Sequence, residues 1–251
     1  MTERLDHSRN PSQASALEER LRATRERIGE VASRVNRAPD DIQLVAVSKT
    51  VPVEVLHDAY ALGLRVFGEN RVQEAQEKIA ALALPDIRWE LIGHLQTNKA
   101  NRAAELFARV QSVDSLRLAE ALSARVVALG KTLPILLEVN VTGEASKSGF
   151  APAETVEAAY AIANLPGLRP GGLMTIAPLV DDPEDVRPVF RALRESRDQL
   201  REAVPLGDDG GWPELSMGMS DDFAVAIEEG ATLIRLGRAL FGARPAVPGV
   251  Q

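Results

Sequence analysis

The sequence predicts an α/β protein, a single (β/α)8 TIM barrel preceded by one extra helix. Three observations predict it. Short apolar runs alternate with runs of helical period eight times along the chain, the pattern of a parallel sheet covered by helices. The length of 251 residues suits one such barrel, and eight units within it favour closure over an open sheet. No G-x-G-x-x-G follows the first strand, which counts against the open dinucleotide-binding alternative.

The elements follow in order. Residues 1–14 are polar and are expected to form a disordered tail, leaving 15–251 as the barrel domain. Leu17, Leu21, Ile28, Val31 and Val35 then recur at helical spacing up to Pro39, giving the extra helix, which should pack on the outside or bottom of the barrel. IQLVAVS reads as the first strand, and VEVLHDAYALG, with Pro52 before it and Gly63 at its end, as the first barrel helix. RVF, RWELIG and RVQSV read as the next three strands, separated by the helices VQEAQEKIAAL and NKANRAAELF. Ser115 is placed to cap LRLAEALSARVVAL, which stops at Gly130. PILLEVNV is the clearest strand and AETVEAAYAIANL its helix; GGLMTI is followed by a helix over about 185–202. After a Gly- and Asp-rich loop from Pro205 to Trp212 come strand ELSMG, helix DDFAVAIEEG, strand TLIRLG and a short closing turn, RALFG.

Composition bounds the function classes. The chain is 45% hydrophobic and 26% charged, with a net charge of −7, which disfavours nucleic acid as a partner. It has no cysteine, so disulfides and thiolate metal sites are excluded. His7, His57 and His94 lie far apart, and no stretch has the length or apolarity of a membrane helix. The polar N-terminus lacks the apolar core of a signal peptide. The expectation is a cytoplasmic protein with neither membrane nor metal.

Barrel sites form at the carboxyl ends of the strands, and small and polar residues gather there. Lys49 ends the apolar run IQLVAV. An amine held against apolar walls and a second cation loses its proton more readily, and the neutral amine attacks carbonyls; the alternative is a lysine reaching from a strand end to solvent. The loops after strands seven and eight, SMGMSDDF and RLGRALFG, fall where barrels often bind phosphate. Gly218 would allow close backbone approach, Ser220 would reach an anion or cap the next helix, and Gly237 would serve an anion or a tight turn. Arg238 is otherwise a surface cation. Arg235, inside the mouth, must face a ligand or pair with a carboxylate such as Glu138. Asn70 would bond a ligand or cap a helix, and His94 is better read as a strut between loops than as a base. Lys147 would contact a phosphate or stay a loop cation.

The motifs VAVSKTVP, FGENRVQEAQEK, WELIGHLQTNKA, QSVDSLRLAEAL, LEVNVTGEASKSG, GLMTIAPL, LSMGMSDDF and IRLGRALFG follow one another from about Leu17 to Gly242. Together they resemble the pyridoxal phosphate homeostasis proteins, the YggS/PROSC family. The resemblance implies a barrel like the alanine racemase N-terminal domain that binds pyridoxal 5′-phosphate as a Schiff base on Lys49. It further implies Asn70 beside the ring and Arg235 facing the pyridine nitrogen, where a permanent charge would keep that nitrogen unprotonated. Ser220, Gly237 and Arg238 would hold the phosphate, and Met217 would line the pocket. Many members carry Ser or Thr at position 238; Arg238 departs from that pattern, losing a hydroxyl contact and offering a charge.

The resemblance implies a carrier that buffers or delivers the cofactor, affecting amino-acid and keto-acid balance, rather than an enzyme. Recipients would be apo-enzymes that use pyridoxal phosphate, and a monomer is expected. The chain's two tyrosines, Tyr60 and Tyr160, fall in predicted helices away from the mouth, so a racemase's second proton carrier is not evident. The alternatives are a racemase-type enzyme using pyridoxal phosphate and a barrel aldolase whose Lys49 engages the substrate directly.

Overall fold

A computed structural model describes residues 11–144, 147–207 and 211–243. Eight parallel strands close into one barrel in sequence order. They are β1 (Gln43–Val47), β2 (Val66–Glu69), β3 (Arg88–Leu91), β4 (Arg109–Val113), β5 (Leu133–Glu138), β6 (Leu168–Met174), β7 (Glu214–Ser216) and β8 (Leu233–Leu236). The described helices are α1 (Pro11–Arg34), α2 (Val53–Ala61), α3 (Val72–Leu82), α4 (Ala100–Leu106), α5 (Leu116–Ala128), α6 (Thr155–Ala163), α7 (Arg187–Ala203), α8 (Phe223–Glu228) and α9 (Arg238–Phe241). The expected (β/α)8 barrel is therefore observed. Among the described residues no helix is long and apolar enough to cross a membrane.

The extra helix α1 packs on the outside, against α8, α9 and α2. Its buried stripe is Leu17, Leu21, Ile28, Val31 and Ala32, the spacing of one helical face. Arg20 Nε donates to the Leu240 carbonyl at 2.7 Å, and Arg37 Nη1, just past the helix, to the Ile227 carbonyl at 3.1 Å, so the helix is tied to α9 and the residues that follow it to α8. Residues 11–14, expected in the tail, form its first turn; residues 1–10 lie outside the described residues. Ser115 caps α5 as expected, its Oγ accepting from the Leu118 amide at 3.3 Å. Trp212, read as part of a polar loop, is fully buried and donates Nε1–H to the Val204 carbonyl at 2.7 Å.

Register decides which side chains enter the barrel, because partnered residues of parallel strands share a face. The pairs Val45↔Arg235, Val47↔Gly68, Gly68↔Glu90, Glu138↔Met174 and Met174↔Ser216 set the inward face. A small apolar cluster of Val45, Val47, Val66, Ile92 and Leu233 fills one side of the interior. The larger core lies between sheet and helices. Much of the remaining interior is polar. Arg235 Nη1 donates to Ser216 Oγ at 2.6 Å, Ser216 Oγ to Gln111 Oε1 at 2.6 Å, and Gln111 Nε2 to Glu90 Oε2 at 2.5 Å. All four residues are buried. Each of these four side chains therefore finds a neighbour inside a water-poor core, where an unpaired polar group would be costly.

Candidate functional site

The inward parity of β1 continues from Val45 and Val47 to Lys49, so its side chain follows the apolar wall into the mouth. There a cavity of about 190 Å³ is lined by Lys49, Asn70, Ser220, Arg235, Gly237 and Arg238, with Val47, Ile92, Ile176, Leu179 and Met219 as its apolar walls. A neighbouring cavity of about 200 Å³ shares Val47, Lys49, Gly237 and Arg238 and extends towards Phe241. Residues from the ends of β1, β2, β6, β7 and β8 thus converge on one space.

Met217 is the one predicted site residue that does not reach it. Ser216 points inward, so Met217 points outward; it is fully buried in the core between sheet and helices. The methionine on the cavity wall is Met219. Alternation along β7 turns Met217 away from the barrel, and Gly218, at φ +94°, breaks that alternation before Met219.

Arg235 is buried and donates Nη1–H to Ser216 Oγ and Nη2–H to the Thr175 carbonyl at 2.7 Å. Both acceptors are neutral. No described carboxylate lies within ion-pair distance, so the alternative pairing with Glu138 is not formed. Burial pushes the guanidinium down to about 10, with Asp222 and Glu138 acting against it from a distance, so it stays charged at neutral pH. Glu138, at the inward mouth end of β5, has a buried Oε2 without a hydrogen-bond partner. Burial pushes its carboxyl up to about 7; Asp114 adds to the rise, and Arg235 and His94 oppose it.

Ser220 does not cap α8. Its Oγ accepts from the Ala239 amide in the first turn of α9 at 3.1 Å, which joins the loops after β7 and β8 and leaves the hydroxyl proton for an anion. Arg238 is half exposed and ion-paired with Asp221, so its charge is shared with that carboxylate. Gly218 adopts φ +94°, and a Cβ there would stand 2.6 Å from Ala226 Cβ; its role is the turn into α8 rather than ligand approach. Gly93 serves the site indirectly. A Cβ at position 93 would stand 2.6 Å from the Asn70 carbonyl oxygen, so only glycine lets the Asn70 segment sit where it does. Asn70 lines the cavity, and the residue ahead of α3 is Arg71.

His94 is a strut. Its Nδ1 lies 2.8 Å from Asp114 Oδ2 and 3.2 Å from Ser148 Oγ, tying together the loops after β3, β4 and β5. Lys147 pairs with Glu144 at 2.6 Å. Tyr60 lies on α2 under the Arg65 guanidinium, 3.8 Å from its ring centre, and Tyr160 is exposed on α6.

The donor set has a definite chemistry. It combines an amine, a buried guanidinium bonded only to neutral groups, a hydroxyl with a free proton and a backbone turn at Gly237, with aliphatic walls between. These residues fit a planar, phosphorylated aldehyde such as pyridoxal 5′-phosphate.

Residues 20–245 match the family described as alanine racemase, N-terminal domain. The chain is 44% identical over 226 residues to a pyridoxal phosphate homeostasis protein of Aquifex aeolicus (strain VF5), covering 90% of this chain and 97% of that one. It is 45% identical over 230 residues to the protein of the same name from Pseudomonas aeruginosa PAO1, covering 92% and 96%. The structure of PipY from Synechococcus elongatus PCC7942 with PLP bound superposes with a TM-score of 0.77 at 38% identity, covering 90% of this chain and all of that one. With these similarities spanning almost its whole length, the chain belongs to the pyridoxal phosphate homeostasis protein family, built on the alanine racemase N-terminal domain fold.

Proposed function

We propose that this protein binds pyridoxal 5′-phosphate and serves its homeostasis, buffering the cofactor and delivering it to apo-enzymes, as a cytoplasmic monomer. One observation carries the reading: Lys49, Asn70, Ser220, Arg235, Gly237 and Arg238 line a single cavity at the barrel mouth. In this reading Lys49 holds the cofactor aldehyde through its amine, as a Schiff base. Ser220 and the turn at Gly237 and Arg238 take the phosphate, and Asn70 lies beside the ring. Arg235 faces the ring nitrogen. When bound, the cofactor supplies an electrophilic carbon and an electron sink that is strongest when its ring nitrogen is protonated. A charged Arg235, locked by Ser216 and Thr175, keeps that nitrogen unprotonated and so favours storage over turnover.

The racemase-type reading has one observation in its favour, the match to the alanine racemase domain. Against it, the chain's two tyrosines lie on α2 and α6, outside the cavity lining. Cofactor transfer decides between the two. Loaded protein is mixed with an apo-enzyme in the presence of a trap for free pyridoxal phosphate. Reactivation that survives the trap, with no racemisation of alanine or serine, is the expected result. Racemisation abolished by Lys49→Ala would overturn the non-enzyme reading.

A further inference from the structure

The turn that carries Lys49 is held from behind by side chains that the cofactor reading does not use. Lys78, buried on α3, donates from Nζ to the Ser48 carbonyl at 2.6 Å, to Glu69 Oε1 at 2.7 Å and to Glu74 Oε1 at 2.7 Å. Ser48 Oγ donates to the same Glu69 oxygen at 2.7 Å. Glu74 Oε1 also accepts from the Thr50 amide at 2.5 Å. Both peptide groups flanking Lys49 are thus bonded into one cluster.

Thr50 has φ +64°. That left-handed conformation is sterically unfavourable for a β-branched residue. The other described non-glycine residues with positive φ are Asn36, Ala83, Asp86 and Trp212, none of them β-branched. Such a conformation persists only where its surroundings fix it, and it gathers at functional positions. An ion pair serving only to fasten α3 to the barrel would be complete with Glu69 and Glu74. Here the third Lys78 bond goes to the Ser48 carbonyl, and Glu74 reaches on to the Thr50 amide.

We propose that Lys78 and Glu74 are positioning residues for Lys49: by fixing the Ser48 carbonyl and the Thr50 amide, they hold the 48–50 turn in its left-handed form and aim the Lys49 amine into the cavity. The inference rests on the reading that Lys49 holds the cofactor. Condensation of amine and aldehyde forms a C=N bond and releases one water. It depends on the direction of approach, whereas the phosphate contacts around Ser220 and Gly237 do not depend on the clamp.

The test compares two ligands on the full chain. Pyridoxal 5′-phosphate has the aldehyde; pyridoxine 5′-phosphate keeps ring and phosphate but carries an alcohol in its place. In Glu74→Ala and Lys78→Met, affinity for the aldehyde should fall at least about tenfold, while that for the alcohol changes less than about twofold, as expected when only an oriented condensation is lost. Equal losses for both ligands would mean a merely structural role, and no loss for either would mean no positioning role; each overturns the proposal. Lys78→Met leaves Glu69 buried without its cation. If that variant does not fold, Glu74→Ala, whose side chain is partly exposed, carries the test. Lys49→Ala is the separate control: if it binds both ligands as the unmodified chain does, the cofactor reading itself fails.

Discussion

At Glu138, burial pushes the carboxyl up to about 7, which fixes the sign of a pH effect. An acid whose folded pKa lies above its unfolded value gains a proton on folding. Its contribution is full below the unfolded glutamate value and is lost as pH rises through about 7. Glu138→Gln should therefore stabilise the protein at pH 8 by on the order of 2 kcal/mol and change little at pH 5. Denaturant unfolding at the two pH values checks it; an equal effect at both would refute it. At this scale the sequence was readable where a residue broke a local pattern. Lys49 stood out because it ended an apolar run. Met217 sits among the small and polar residues of SMGMS, yet its parity on β7 turns it into the core between sheet and helices.

Among the elements, α1 is the addition to the ordinary barrel. Leu21 is almost fully buried in the core that joins α1 to the barrel. Leu21→Ala should cost about 2–5 kcal/mol in unfolding free energy, with the spectrum of bound cofactor unchanged in the protein that remains folded. A cost under about 0.5 kcal/mol, typical of a surface substitution, would mean that α1 is not part of the fold's core. Helices and strands were legible because the hydrophobic period switches cleanly along the chain, and α3 and β4 fall where their motifs were read. The start of β6 was not legible. Gly167 and Pro170 look like punctuation, yet the strand runs from Leu168. A register shift between Ile135 and Leu136 in the neighbouring β5 takes up the irregularity at that proline.

Across the whole molecule, a chain of hydrogen bonds and ion pairs links the mouth to the amino end of the barrel. It runs from Arg235 through Ser216 and Gln111 to Glu90, which lies 3.9 Å from Arg109 Nε, itself paired with Glu214 at 2.7 Å. Glu90 and Gln111 sit in strands four residues and five residues long, where a polar residue reads equally well as solvent-facing. Only closure of the sheet turns both inward, so the network could not be read from the sequence. Ser216→Ala leaves Gln111 Oε1 without its donor and one Arg235 N–H without an acceptor. It should cost about 1–3 kcal/mol and shift the absorbance of the bound cofactor by loosening Arg235. Destabilisation with an unchanged spectrum would separate the network from the site.

The central claim is that Lys49 carries the cofactor, and chemical capture tests it most directly. Protein reconstituted with pyridoxal 5′-phosphate is reduced with borohydride, digested and analysed by mass spectrometry. The expected result is loss of the yellow absorbance, with the phosphopyridoxyl group on the peptide containing Lys49, and no comparable labelling of Lys49→Ala. Label on another lysine, or imine absorbance that survives in Lys49→Ala, would contradict it.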